Sequence, residues 1–211
     1  MSGMGKRLFI VLDGMDGSGK SLMIDKLKEY LSSKNKDYRI LITKEPTDSR
    51  FGKEARKMLQ TEKDPMANAK KSLELYVKDR KEHLDSTILP FLGKEGSTNI
   101  VICDRYYYST IAFQHTQGLG WEEVLNANNK FEKPDIAFIL DLPPETALER
   151  ITRAREGKEK FEKLGFMKKL RANFLELPKR LKDNIKIIDA SKDKDAVFGQ
   201  IKREMDGLLI F

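Results

Sequence analysis

One motif restricts the fold more than any other stretch: residues 14–21 form a glycine-rich loop with the pattern Gly-x-x-x-x-Gly-Lys-Ser. The apolar run at residues 8–12 before it is typical of a strand buried on both faces. After it, apolar residues recur at the spacing of an amphipathic helix. A strand, this loop and a helix predict a P-loop that binds the phosphates of a nucleotide. Its residues are Gly14, Met15, Asp16, Gly17, Ser18, Gly19, Lys20 and Ser21.

Two side chains of this loop have predicted roles. Glycines allow successive backbone N–H groups to point at phosphate oxygens, helped by the positive end of the following helix. Lys20 is predicted to place its charge on the β- and γ-phosphates, and the Ser21 hydroxyl to bind Mg²⁺. A glycine-rich turn without a ligand is the alternative, but it would not require the strand and helix around it.

Composition limits the remaining classes of protein. A chain of 211 residues can bury one ordinary core. Its 40 basic and 33 acidic residues, a formal charge of +7, favour an anionic partner. The single cysteine, Cys103, excludes an internal disulfide and favours a reducing, cytoplasmic compartment, and two histidines are too few for a usual zinc site. With no membrane-length apolar run and no signal-peptide pattern, we expect no membrane partner.

Strand and helix patterns alternate along the rest of the chain. Further strands are predicted at residues 38–43, 100–103, 136–140 and 185–188, and helices near 52–59, 67–92, 122–125 and 194–208. This alternation predicts one α/β domain over residues 1–211, with a mainly parallel five-stranded sheet flanked by helices.

A second candidate phosphate site begins where the third strand is predicted to end, with Asp104, Arg105 and Tyr106. Open α/β sheets bind ligands at this edge. An aspartate there can hold Mg²⁺ directly or through water, and the planar guanidinium of Arg105 can bridge the phosphates of a donor and an acceptor. A surface ion pair between Asp104 and Arg105 is the alternative interpretation.

A third basic group, Arg150, Arg153 and Arg155, lies between the fourth strand and the last helices. A polar segment at about residues 148–165 could close over a nucleotide as a lid and bring arginines to the transferring phosphoryl group. Gly17 leaves the P-loop without an arginine of its own, which favours a lid over a solvated basic helix.

These residues lie in motifs that resemble the thymidylate kinase family. Residues 104–114 are similar to the family signature Asp-Arg-Tyr-x-x-Ser-x-x-Ala-Tyr-Gln. Residues 44–46, Lys-Glu-Pro, resemble its Arg-Glu-Pro turn, residues 75–80 its base-binding helix, and residues 134–150 the segment that leads into its lid. The resemblance covers residues 8–188, and the motifs occur in the family's order.

The resemblance implies a P-loop kinase with a mobile lid, usually a homodimer, that uses ATP and Mg²⁺ to convert dTMP to dTDP. By position, Asp16 would contact the 3′-hydroxyl of dTMP, Tyr76 would stack on thymine, and Arg80 would hydrogen-bond its O4. The residues implied in catalysis are Asp16, Lys20, Arg105, Arg150, Arg153 and Arg155. Those implied in binding dTMP are Asp16, Glu45, Arg50, Tyr76, Arg80, Arg105, Ser109, Thr110 and Phe113.

Three positions depart from the family pattern. Lys44 replaces the arginine before Glu-Pro, so a bidentate phosphate contact is lost there. Some relatives have an arginine directly after this turn, where this chain has Thr47, and Arg50 is a weak substitute for it. Phe113 replaces a tyrosine but keeps the bulk that could disfavour a ribose 2′-hydroxyl. Glu45 is expected to orient Mg²⁺-bound water or Arg105, and His83 to lie at the surface or in packing.

A deoxynucleoside kinase is the alternative enzyme. Its acceptor is a sugar hydroxyl, which needs a base, and Glu45 could serve. A monophosphate, with a second pKa near ~6, needs no base but more positive charge. Lys20, Arg105 and the lid arginines supply that charge, so direct in-line transfer to a monophosphate is favoured.

Two non-enzymatic classes are disfavoured. A basic nucleic-acid-binding module fits the charge of +7, but no surface motif of aromatic and basic residues is evident, so we expect no nucleic-acid partner. A GTPase would need an Asn-Lys-x-Asp motif after a strand, and the Asn-Lys pair at residues 129–130 lacks both the strand and the aspartate.

Overall fold

The computed structural model describes residues 7–61, 64, 66–153 and 160–209, without the side chains of 152, 153 and 160–163. Within this part, five parallel strands form one sheet in the order β2-β3-β1-β4-β5. The strands are β1 (Arg7–Gly14), β2 (Tyr38–Lys44), β3 (Thr98–Asp104), β4 (Ile136–Asp141) and β5 (Ile185–Asp189). The predicted α/β class and parallel five-stranded sheet are confirmed.

The core is built on the three central strands. Their apolar runs are almost completely buried, as expected for parallel strands covered on both faces, and Ile10, Val11 and Leu12 of β1 are 0 % exposed. Cys103 of β3 is buried in the same core. In the sheet register Asp104 lies beside both Leu12 and Lys44, so the carboxyl ends of β1, β2 and β3 meet at one edge.

Helices surround the sheet. They are α1 (Lys20–Lys34), α2 (Arg50–Thr61), α3 (Ala69–His83), α4 (Leu89–Leu92), α5 (Tyr107–Thr116), α6 (Trp121–Asn128), α7 (Pro144–Arg153), α8 (Lys160–Arg180) and α9 (Lys194–Leu208). α5 packs against α3, α6 and α8, and α1 packs against α9. Among these described helices none is long and apolar enough to cross a lipid bilayer.

Three predicted helices have different bounds in the structure. The helix expected near residues 52–59 spans Arg50–Thr61. The helix expected over residues 67–92 consists of α3, a π-helical turn at Leu84–Ile88 and α4, with Pro90 in the first turn of α4. Proline has no N–H to donate to the preceding turn, and the wider π turn occurs where that hydrogen bond is lost. The helix expected at 122–125 extends over Trp121–Asn128.

Candidate active site

The predicted P-loop connects the end of β1 to the start of α1. Gly14, Gly17 and Gly19 all have positive φ angles, of 134°, 80° and 92°. Gly17 also makes a close approach, because a Cβ built there would lie 2.8 Å from the carbonyl oxygen of Ala147. The backbone of α7 therefore packs directly against the loop, and only glycine fits between them.

Two side chains of this loop, Lys20 and Ser18, are positioned to bind an anion. Lys20 folds back over the loop, where its Nζ donates to the carbonyl oxygens of Gly14 at 3.1 Å and Met15 at 3.0 Å. Burial lowers the pKa of Lys20 to about 8, and the nearby charge of Arg105 acts in the same direction. Ser18 is 3 % exposed, and its hydroxyl oxygen has no hydrogen-bond partner among the described residues. A phosphate oxygen in the loop would satisfy that hydroxyl.

Arg105 connects the P-loop to α5. Its backbone has a φ of 69°, and its guanidinium donates to Gly14 O at 2.9 Å, Ser109 Oγ at 2.8 Å and Asp16 Oδ1 at 2.5 Å. Asp13, the fully buried residue before the loop, accepts hydrogen bonds from the Ser109 hydroxyl and from two backbone N–H groups at the start of α5. The loop and Arg105 are thus held as one unit.

A cavity of about 190 Å³ opens beside Arg105, among the P-loop, α2, α3, α5 and α8. Leu59, Leu170 and Phe174 contribute apolar walls. The cavity brings together eight of the residues that the sequence predicted to bind dTMP, namely Asp16, Glu45, Tyr76, Arg80, Arg105, Ser109, Thr110 and Phe113. These side chains come from separate elements that meet at the carboxyl edge of the sheet.

Arg80 is held from three directions at the wall of this cavity. It is 1 % exposed, and each guanidinium nitrogen has a partner. Nε donates to Glu45 Oε2 at 2.9 Å, Nη1 to Asn128 Oδ1 at 2.5 Å, and Nη2 to Thr110 Oγ1 at 2.8 Å. A buried arginine in such a network is a fixed donor, because its charge is compensated and its hydrogen bonds define its plane.

Glu45 contacts other residues than the sequence predicted. In place of Arg105, its two carboxylate oxygens bind Arg80 and His83, the latter with Nδ1 at 3.2 Å. His83 is 4 % exposed and also binds Thr43 Oγ1 at 2.7 Å, so it belongs to this buried polar network. The physical reason is that the buried Arg80 needs a counter-ion, and the end of β2 places Glu45 beside α3.

Comparison with known proteins decides the family. The family model described as thymidylate kinase matches residues 12–201, which include the P-loop, the cavity and α7. The chain belongs to the thymidylate kinase family. Among its relatives, a probable thymidylate kinase of Thermococcus kodakarensis is 39% identical over 209 residues, 96% of this chain and 98% of the relative. The thymidylate kinase of Clostridium novyi is 34% identical (94% and 98% covered), and that of Leptospira interrogans 38% identical (91% and 90% covered).

In this thymidylate kinase family member, the cavity presents aromatic ring faces and the side-chain amide of Gln114. Burial raises the pKa of Tyr76 to about 12, so its ring is an uncharged phenol. The ring of Phe113 packs against Phe166, with centroids 5.1 Å apart. Gln114 lines the cavity at 0 % exposure, and its Oε1 has no hydrogen-bond partner in the described part of the chain.

The expected metal ligands lie together. Ser21 and Asp104 line a second cavity of about 620 Å³ at the start of α1. Asp104 Oδ1 is a buried atom without a described partner, and burial raises the pKa of this carboxyl while the charge of Lys20 opposes the rise. Among the described residues no group of three acidic, histidine or cysteine side chains could hold a metal. A hydroxyl and a carboxylate fit Mg²⁺, which usually completes its shell with phosphate oxygens and water.

The predicted site arginines that do not line the cavity lie in different parts of the chain and have different contacts. Arg50 does not line the cavity; it is exposed at the start of α2, and its guanidinium lies 4.5 Å from the centroid of the Phe51 ring. Arg150 reaches the P-loop, where Nη1 donates to Gly17 O at 3.2 Å. The side chain of Arg153 and the whole of Arg155 lie outside the described residues, as do residues 154–159 of the predicted lid.

Four residues of the site were missed by sequence reasoning. Asp13 had a usable signal, because a carboxylate directly after a buried apolar run must find partners. Gln114 belongs to the family signature but was given no role. His83 and Asn128 carried no local signal, because their partners are 38 and 48 residues away in the sequence.

Proposed function

We propose that this chain transfers the γ-phosphoryl group of ATP directly to dTMP and so forms dTDP. The observation that carries the proposal is one cavity lined by two arginines with different tasks. Arg105 is hydrogen-bonded to the P-loop, where the phosphates of both substrates must meet. Arg80 is locked in the wall and offers fixed donors to a base.

The hydrogen-bond donors and acceptors in the cavity wall fit a base with a 4-carbonyl group. An arginine has five N–H bonds, and among the described residues Arg80 uses three of them, which leaves two for an acceptor on the base. The unpaired Oε1 of Gln114 is an acceptor and suits the N3–H of thymine or uracil. Tyr76 and Phe113 offer apolar faces to the ring. Cytosine, with a 4-amino group and no N3–H, reverses both hydrogen bonds.

The contacts of Glu45 argue against a deoxynucleoside kinase. A sugar hydroxyl needs a base, but both oxygens of Glu45 are occupied by Arg80 and His83. The phosphate of dTMP, with a second pKa near ~6, is already a nucleophile at neutral pH. Arg105 and Lys20 then hold two anionic groups together, and Asp16, beside Arg105, is suitably placed for the 3′-hydroxyl.

The metal and the lid complete the proposal. Ser21 and Asp104 would hold Mg²⁺, which supplies charge neutralisation for the β- and γ-phosphates. The lid, about residues 148–165, would bring Arg150, Arg153 and Arg155 to the transferring group, and the contact of Arg150 with Gly17 supports this for the first arginine. We further propose that the protein is a cytoplasmic homodimer. Light scattering would measure its mass in solution.

A coupled assay of ADP release tests this function. The acceptors are dTMP, dUMP, UMP, dCMP and thymidine, each with ATP and Mg²⁺. We expect the highest kcat/KM with dTMP, a lower value with dUMP because one methyl is worth only about 1 kcal/mol, and little activity with dCMP. ADP release with thymidine but not with dTMP would overturn the proposal.

A further inference from the structure

Asn128 contacts the base-facing arginine without lining the cavity itself. It is 3 % exposed at the end of α6, and its Oδ1 accepts from Arg80 Nη1 at 2.5 Å. We propose that Asn128 is a positioning residue for base selection, which holds Arg80 so that a 4-carbonyl base is accepted and a 4-amino base is rejected. This inference rests on the proposed function.

The side-chain amide of Asn128 has one permitted orientation. Its Nδ2 donates to the carbonyl oxygen of Val124 at 2.7 Å, while its Oδ1 faces Arg80. Rotating the amide by half a turn would place its NH₂ group against the N–H of Arg80 and its oxygen against the carbonyl of Val124, so both hydrogen bonds would be lost. The turn of α6 therefore fixes an acceptor against Arg80.

Asn128 Oδ1 binds the guanidinium nitrogen of Arg80 that Glu45 and Thr110 do not contact. The faces of the guanidinium lie near the rings of Tyr106 and Phe131, with Cζ 5.2 Å and 5.4 Å from their centroids. Glu45 binds Nε and Thr110 binds Nη2, so Nη1 is held by Asn128. Without Asn128, Nη1 loses its partner, and the guanidinium is free to pivot about the other two contacts.

Rotation of the Arg80 guanidinium would weaken the discrimination between 4-carbonyl and 4-amino bases. A fixed Arg80 presents only donors, so the 4-amino group of cytosine meets N–H against N–H and both groups stay unsatisfied. A mobile Arg80 can turn away and let water or another acceptor face the amino group. Discrimination between 4-carbonyl and 4-amino bases should then fall, while discrimination at the 5-methyl group should not change.

The test compares three variants of the full chain at saturating ATP. Asn128→Ala removes the acceptor, Asn128→Asp keeps an oxygen that can face Arg80, and Asn126→Ala is the matched control on the exposed side of α6. For Asn128→Ala we expect the ratio of kcat/KM for dTMP to that for dCMP to fall about tenfold. We expect its dTMP to dUMP ratio to change by less than about twofold, since both bases carry the 4-carbonyl. Asn128→Asp should keep its dTMP to dCMP ratio within about threefold of the unsubstituted chain, and Asn126→Ala should match that chain.

Other outcomes separate this inference from the proposed function. If the unsubstituted chain phosphorylates dTMP but Asn128→Ala lowers kcat/KM equally for all three nucleotides, Asn128 is merely structural and the inference is wrong. If Asn128→Ala unfolds at the assay temperature, Asn128→Asp provides the test. A fall in its ratio of kcat/KM for dTMP to that for dCMP then overturns the inference. A chain inactive with dTMP contradicts the proposed function, and the inference falls with it.

Discussion

Glu45 and Arg80 form a buried ion pair in which Oε2 and Nε are 2.9 Å apart and the side chains are 4 % and 1 % exposed. A buried charge is tolerated only with a close partner, because desolvation costs several kcal/mol per ion. The pair is therefore a structural requirement of the cavity wall, in addition to any role that Arg80 has with a base.

Replacing Glu45 should destabilise the fold. Glu45→Ala leaves Arg80 uncompensated, and we expect the free energy of unfolding in urea to fall by about 3 kcal/mol. Asp85→Ala is the matched control, because the Lys81–Asp85 pair has a similar distance of 2.7 Å but side chains that are 66 % and 57 % exposed. That control should change stability by less than about 0.5 kcal/mol. Equal losses of stability in the two variants would show that burial of the Glu45–Arg80 pair does not make it more important to the fold than an exposed pair.

We expect kcat to fall even when Arg105 is replaced by lysine, which keeps the positive charge. Arg105→Lys loses the planar fork that reaches Gly14, Ser109 and Asp16, and we expect kcat with dTMP to fall by about a hundredfold. Arg39→Lys, on the exposed side of β2, is the control and should keep kcat. Steady-state kinetics at saturating ATP and dTMP measure both variants, and a near-normal kcat for Arg105→Lys would refute this assignment.

Lys20 should give the reaction a basic limb in its pH profile. Its pKa is about 8 because it is buried, so the free enzyme loses this charge as the pH rises through about 8, and kcat/KM for ATP should fall there. An unfolded lysine titrates near its ordinary value of 10.5, so between these two pKa values the unfolded state binds more protons. The contribution of Lys20 to stability should therefore increase with pH in that window, while ATP binding weakens. A kcat/KM profile for ATP that is flat from about pH 7 to about pH 9 would contradict this.

The P-loop and the sheet were predictable from the sequence because their signals are local. Residues 8–31 contain the strand, the loop and the helix in one continuous pattern, and buried parallel strands appear as apolar runs. Tyr76 and Arg80 lie one helical turn apart, so their shared face was also predictable.

What the sequence did not provide is the pairing between distant elements. Arg80 obtains partners from the end of β2, from α5 and from α6, and no local pattern specifies which side chains meet there. Arg50 is the reverse case, since its position near the motif predicted a contact with the substrate, whereas its side chain lies on Phe51 and does not line the cavity; its role with dTMP stays a prediction. Such contacts depend on how the helices pack, which a pattern of residues does not determine.

Gly17 should be irreplaceable because α7 lies against it. Gly17→Ala places a Cβ about 2.8 Å from Ala147 O at a φ of 80°, and we expect Tm to fall by about 5 °C together with a loss of kcat. Gly199→Ala is the control, because a Cβ at that position of α9 would contact no described atom within 4 Å apart from its chain neighbours and the backbone of its own helix. It should leave Tm unchanged or raise it slightly. Calorimetry and the ADP assay check both variants, and a Gly17→Ala chain with normal Tm and kcat would contradict the packing argument.

Transfer of a phosphoryl group from ATP to the phosphate of dTMP must produce dTDP together with ADP. Anion-exchange chromatography of a reaction with ATP, Mg²⁺ and either dTMP or thymidine identifies the products directly. We expect equal amounts of dTDP and ADP from dTMP, and no phosphorylated product from thymidine. Formation of dTMP from thymidine, or of ADP and inorganic phosphate without dTDP, would contradict the proposed transfer.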